Sequence, residues 1–119
     1  ARPVSDRMYL ISDAMPTVGG PTAFNLYGTK VSLVDNRLVN SEGGLAGAQT
    51  TQSKSVKRLV DHIGIPTEDA LKMAITTPGK VMGLQLDRLH GLSVKDIICL
   101  TNRLEYSGTL TDLLQLSEK

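Results

Sequence analysis

The sequence has no tryptophan, one phenylalanine, one cysteine and almost no charge imbalance, and each shortage removes a class of function. Aromatic residues make up 3% of the 119, which leaves few flat faces on which unpaired bases could stack. A formal net charge of +1 falls far short of the dense basic surface that displaces counterions from phosphates, so no nucleic-acid partner is expected. A single cysteine cannot close a disulfide within the chain. Cys99 lies in the run Ile97-Ile98-Cys99-Leu100, where a thiol is expected to behave as a small core hydrophobe. No apolar run reaches the length of a membrane span and no signal-type segment leads the chain, so no membrane partner is expected and the cytoplasm is the expected compartment. Hydrophobic residues at 40% and charged residues at 21% fit ordinary globular usage, with the length of one domain or a piece of a larger one. The opening Ala1-Arg2-Pro3, almost directly before an apolar run, reads as the middle of a protein.

That run is the most informative stretch. Tyr9-Leu10-Ile11-Ser12-Asp13-Ala14-Met15 is apolar, ends on a carboxylate, and breaks at Pro16, Gly19, Gly20 and Pro21. A short apolar run bounded by turn formers predicts a strand buried on both faces, as in a parallel sheet. Asp13 then stands at the strand's C-terminal end, the edge where barrel and open α/β enzymes build their chemistry. Two roles are open to it at this point: a catalytic carboxylate, or a cap on the backbone amides of the following loop.

Further along, Phe24-Asn25-Leu26-Tyr27 and Thr29 to Val34 alternate apolar and polar side chains. With Arg37-Leu38-Val39-Asn40 they predict an antiparallel meander whose turns fall at Gly28 and at Asp35-Asn36. A glycine-rich loop, Ser41-Glu42-Gly43-Gly44-Leu45-Ala46-Gly47-Ala48, follows, where backbone amides can approach an anion or a sugar. A helix is predicted from about Thr50 to Ile63, with Val56, Leu59, Val60 and Ile63 on one face and Gly64 as its stop. Thr67 is expected to cap a second helix, and Thr77-Pro78 to open a third that ends near Gly83. Ile97 to Thr101 and the region from Glu105 to Leu114 read as strands joined by a turn near Asn102-Arg103.

Candidate ligands for metal are sparse. His62 and His90 have no partner at metal-ligand spacing, and His62 falls beside its helix's apolar stripe, as a surface or boundary residue would. Lys54, Lys57 and Arg58, at helical spacing, read as a solvated face. No nucleophile elbow, phosphate-loop lysine or dinucleotide fingerprint occurs.

The combination is more specific than its parts. Leu10-Ile11-Ser12-Asp13-Ala14, a hairpin excursion, Gly44-Leu45-Ala46-Gly47-Ala48, an amphipathic helix, and then Met73-Ala74-Ile75-Thr76-Thr77-Pro78-Gly79-Lys80-Val81-Met82-Gly83-Leu84 resemble the C-terminal third of the N-acetylglucosamine-6-phosphate deacetylases, in the amidohydrolase superfamily. The resemblance covers nearly the whole chain. It implies an α/β fold: residues 1–84 as the end of a TIM (β/α)8 barrel, and residues 85–119 as C-terminal strands of a small β-sandwich domain. It implies Asp13 as general base and acid, and Leu45, Ala46 and Gly47 as substrate-binding residues for a sugar phosphate. A divalent metal, zinc or iron, would serve the full-length enzyme through a glutamate and two histidines outside this chain, and these 119 residues are expected to hold no catalytic metal and to be inactive alone.

Ala48 stands where that family commonly has serine, and Leu92-Ser93-Val94-Lys95-Asp96 replaces its usual glycine-containing turn. A partial barrel also leaves apolar surface uncovered, so a homo-oligomer is expected. Two other readings stay open: an amidohydrolase acting on a different amide, and a non-catalytic binding module around the glycine loop.

Overall fold

The computed structural model describes residues 6–86 and 89–117, and the chain divides into two compact units. One is Ile11–Gln52; the other is formed by the described residues on either side of it.

The first unit is built on an antiparallel meander of β1 (Ala23–Leu26), β2 (Thr29–Val34) and β3 (Arg37–Asn40), in that spatial order. Both turns carry positive φ at their two central residues: Tyr27 at 50° with Gly28 at 84°, and Asp35 at 47° with Asn36 at 60°. That backbone twist matches the right-handed twist of the flanking strands, which is why such turns dominate tight hairpins. Register sets Phe24 opposite Val31 and Leu33 opposite Leu38, so one sheet face is apolar, and Val31 and Leu38 are each 1% exposed. The predicted meander is present at the predicted turns.

In the second unit α1 (Gln52–Arg58) widens into a π-helical segment, Leu59–Ile63. Gly64, at φ 76°, ends it: its N–H donates to the Val60 carbonyl, while that of Ile65 reaches back to Leu59. A left-handed residue closes a helix in this way by satisfying carbonyls that would otherwise be left over. A continuous helical run follows, made of α2 (Thr67–Leu71), a π-helical segment Lys72–Thr76, and α3 (Thr77–Val81). Val56, Ile65, Ala70 and Met73 form the core here, with Leu10, Leu59, Val60, Leu71, Ala74 and Leu104 packed against it. A two-stranded antiparallel ribbon, β4 (Ile98–Leu100) and β5 (Tyr106–Thr109), leads into α4 (Leu110–Ser117).

Several expectations are corrected. Residues 9–14 do not form a buried strand: Tyr9 is 47% and Ile11 73% exposed, and only Ala14 makes a bridge, parallel to Ala48. A strand exists through its ladder, and among the described residues none flanks this run. Leu10 is anchored separately, its N–H donating to the Met73 carbonyl at 2.8 Å. Thr67 is the first helical residue, with Pro66 before it and no side-chain cap. The second and third helices are one run, because Thr77 N–H bonds to the Lys72 carbonyl in the wider π pattern just before Pro78, which has no N–H to offer. Residues 110–114 are helical: Thr109 and Asp112 exchange hydrogen bonds across the first turn of α4. Cys99 is half-buried beside a register shift in its ribbon, outside the core cluster.

Among the described residues no helix is long and apolar enough to cross a membrane.

Candidate active site

Asp13 and the glycine loop, distant in sequence, meet in the first unit. The Ala48 N–H donates to the Asp13 carbonyl at 2.9 Å, and the Met15 N–H donates to the Ala48 carbonyl at 3.3 Å. This pair of bonds is the parallel bridge. Asp13 itself takes φ 47°, a conformation that aspartate tolerates better than most side chains, and its side chain is exposed.

Gly47 is fixed by the same contact. Its φ is 92°, and a Cβ placed on it would lie 2.5 Å from Met15 Cγ and 3.3 Å from the Asp13 carbonyl oxygen. Only a residue without a side chain lets the loop come this close. The loop's other end hangs from Asn40. Asn40 Oδ1 accepts from Gly44 N–H at 2.7 Å and from Glu42 N–H at 3.1 Å, and the Asn40 N–H donates to the Gly44 carbonyl at 2.9 Å. Ala46 N–H donates to the Leu38 carbonyl at 3.0 Å, so Leu45 bridges Val39 as an antiparallel extension of β3.

These bonds decide which amides the loop can offer a ligand. Those of Ala46 and Ala48 are engaged by Leu38 and Asp13. Among the described residues, those of Leu45 and Gly47 have no partner. Leu45 also leaves its side chain 76% exposed.

Among the described residues no three His, Cys, Asp or Glu side chains gather into a group able to hold a metal ion. His62 and His90 are both exposed. Lys57, from the basic run of α1, pairs with Asp61 at 3.1 Å and donates to the Arg103 carbonyl at 2.7 Å, so part of that face is tied down. A cavity of about 340 Å³ in the helical unit, walled by residues such as Leu71, Ile75, Leu92 and Ile97, includes neither Asp13 nor the loop.

Sequence reasoning missed Asn40 as the loop's anchor, although an asparagine ahead of a Gly-Gly pair is a recognisable turn signal. Nothing local foretold the meeting of Asp13 with Ala48.

No protein-family model matches the chain. A curated N-acetylglucosamine-6-phosphate deacetylase from Vibrio furnissii is 36% identical over 80 residues, 66% of this chain and 20% of that protein. A protein from Escherichia coli O157:H7 named N-acetylgalactosamine-6-phosphate deacetylase is 30% identical over 80 residues, again 66% of this chain and 21% of its own length. Among solved structures, the N-acetylglucosamine-6-phosphate deacetylase from Pasteurella multocida superposes with a TM-score of 0.74 at 30% identity, over 87% of this chain and 28% of its own. The chain thus spans less than a third of the length of each of these relatives. Sequence relatives and solved structures both point to the N-acetylglucosamine-6-phosphate deacetylases, of which these residues match a partial, C-terminal region.

Proposed function

We propose that this chain supplies one side of the active site of an enzyme that hydrolyses N-acetylglucosamine 6-phosphate to glucosamine 6-phosphate and acetate. The observation that carries the reading is the bridge between Ala14 and Ala48, in which the Ala48 N–H donates to the Asp13 carbonyl and so sets a carboxylate-bearing residue beside a loop with two uncommitted backbone donors. Likeness to deacetylases in sequence and in structure supports the same reading.

Amide hydrolysis needs a nucleophilic water, stabilisation of the oxyanion, and a proton for the departing amine. In this proposal the Asp13 carboxylate takes a proton from the attacking water. The resulting carboxylic acid returns that proton to the glucosamine nitrogen as the carbon–nitrogen bond breaks, which leaves Asp13 ionised again. Leu45 and Gly47 offer their amides to the sugar phosphate, and Ala46, held on Leu38, keeps the two donors in register. A divalent metal, zinc or iron, would polarise the acetyl carbonyl, and in this proposal its ligands belong to other parts of the full-length enzyme.

In the same proposal residues 1–84 close a (β/α)8 barrel and residues 85–119 contribute to a small β domain. The exposed apolar side chains of Tyr9 and Ile11 suit a barrel strand seen without its neighbours. The surface such a barrel leaves would seat a second copy, and the setting would be cytoplasmic, where a phosphorylated sugar is retained.

The test is acetate release by the full-length, metal-replete protein. Turnover is expected on N-acetylglucosamine 6-phosphate, with little on the unphosphorylated sugar. The 4-epimer, N-acetylgalactosamine 6-phosphate, belongs in the same assay because a relative carries that activity in its name. No release from either sugar phosphate would overturn the reading.

A further inference from the structure

Thr17 is polar yet only 4% exposed, and it lies in the loop that follows Asp13. Burying a hydroxyl is costly unless it is hydrogen-bonded. Its partner is Gln49, immediately after Ala48 and 32 residues away in sequence. The exchange is reciprocal: the Thr17 hydroxyl donates to Gln49 Oε1, and Gln49 Nε2 donates to the Thr17 carbonyl at 3.0 Å. The pair therefore ties the segment that leaves Asp13 to the segment that leaves Gly47.

The backbone bridge at this point consists of two bonds, one of them long at 3.3 Å, and among the described residues no further ladder lies beside it. An isolated bridge is a weak determinant of register, whereas a partly buried two-bond clamp next to it resists both sliding and opening. We propose that Thr17 and Gln49 are positioning residues of the deacetylation site, holding the Asp13 carboxylate in register with the Leu45 and Gly47 donors. The inference rests on the function proposed above. Neither side chain is assigned contact with substrate. Their effect passes through Asp13 and the loop, and a shift of about an ångström between a proton-transfer group and its substrate can cost about a hundredfold in rate.

The experiment uses the full-length, metal-replete enzyme with Thr17→Val, Gln49→Ala, the double variant, and the conservative Thr17→Ser, each checked by thermal unfolding. Each disruptive single variant is expected to lower kcat by about tenfold or more with a smaller change in KM, at temperatures where it remains folded. The double variant is expected to match the singles, since either change breaks the same clamp. Thr17→Ser should restore kcat because it keeps the hydroxyl. Should Gln49→Ala fail to fold, Gln49→Glu keeps the volume and one acceptor while losing the donor, and is expected to lower kcat several-fold. Lowered melting with kcat and KM within twofold of wild type would mean a purely structural pair and overturn the proposal, as would losses that multiply in the double variant. An inactive wild-type enzyme would sink the functional reading and this inference together, whereas an active enzyme indifferent to the clamp would sink this inference alone.

Discussion

The Ala48 amide donates to the Asp13 carbonyl at 2.9 Å, joining the carboxylate-bearing turn to the glycine loop. The bond spends one loop donor on structure, while among the described residues those of Leu45 and Gly47 have no partner. It also fixes the backbone of Asp13 while its side chain stays exposed.

Asp13→Asn in the full-length enzyme is expected to lower kcat by about a hundredfold to ten thousandfold, the usual range for removing a positioned proton-transfer group. Asparagine keeps the shape and accepts a hydrogen bond, but it cannot take a proton from water or return one to the amine. KM should change much less. Steady-state kinetics with metal content measured in both proteins is the check, since metal loss imitates loss of the base. Near-normal turnover in a metal-replete variant would return Asp13 to the role of a loop cap.

Gly47→Ala tests the closeness of the same two segments. The substitution forces φ 92° on a residue with a Cβ and drives that atom to 2.5 Å from Met15 Cγ, so either the loop or Met15 must move. The expected cost is on the order of 2 kcal/mol in unfolding free energy, together with a raised KM. Chemical denaturation and kinetics measure the two effects. Met15→Ala added to Gly47→Ala should recover part of the loss, because it removes the clash and leaves the backbone strain. A double variant no better than the single would show that φ, not Met15, makes the glycine necessary.

The meander was legible because every local signal agreed: alternation in Thr29–Val34, then Asp35-Asn36 at a turn needing positive φ at both positions. The helices were legible from their apolar stripes, but their π-helical segments were not, and Ile63, expected on the apolar face of the first helix, is 68% exposed at the end of its π-helical segment. The run from Tyr9 to Ala14 misled, because an apolar run reports what a segment needs to bury and says nothing of whether its ladder partners are at hand. Asp13 and the loop residues Leu45, Ala46 and Gly47 stood out in the sequence as candidates, but the bond that joins the two segments through Ala48 did not. Nor did the Thr17–Gln49 clamp, because a polar pair 32 residues apart leaves no periodicity to detect.

The start of α4 was also misread, and the cause yields a pH prediction. Thr109-Leu110-Thr111-Asp112 is a capping box: the Asp112 N–H bonds to Thr109 Oγ1 at 3.3 Å, and Asp112 Oδ2 accepts from both the hydroxyl and the N–H of Thr109 at 2.7 Å. These bonds favour the ionised carboxylate; the Thr109 hydroxyl is the larger cause and its backbone N–H the second, and together they hold Asp112 below its ordinary value of 3.8. A carboxylate whose folded pKa is lowered binds its proton more readily in the unfolded chain. Its stabilisation is therefore complete above about pH 4 to 5 and is lost as pH falls through the lowered folded value. Amide exchange in the first turn of α4 should be insensitive to that linkage between pH 7 and 5 and should lose protection on further acidification. Asp112→Ala should weaken protection at neutral pH and remove the acid-dependent part, while Thr109→Ala should cost the turn about 1 kcal/mol at neutral pH, the usual worth of a threonine cap. Exchange measured across the acid range in all three proteins decides the matter: an acid loss as steep in Asp112→Ala as in the parent would place the responsible carboxylate elsewhere.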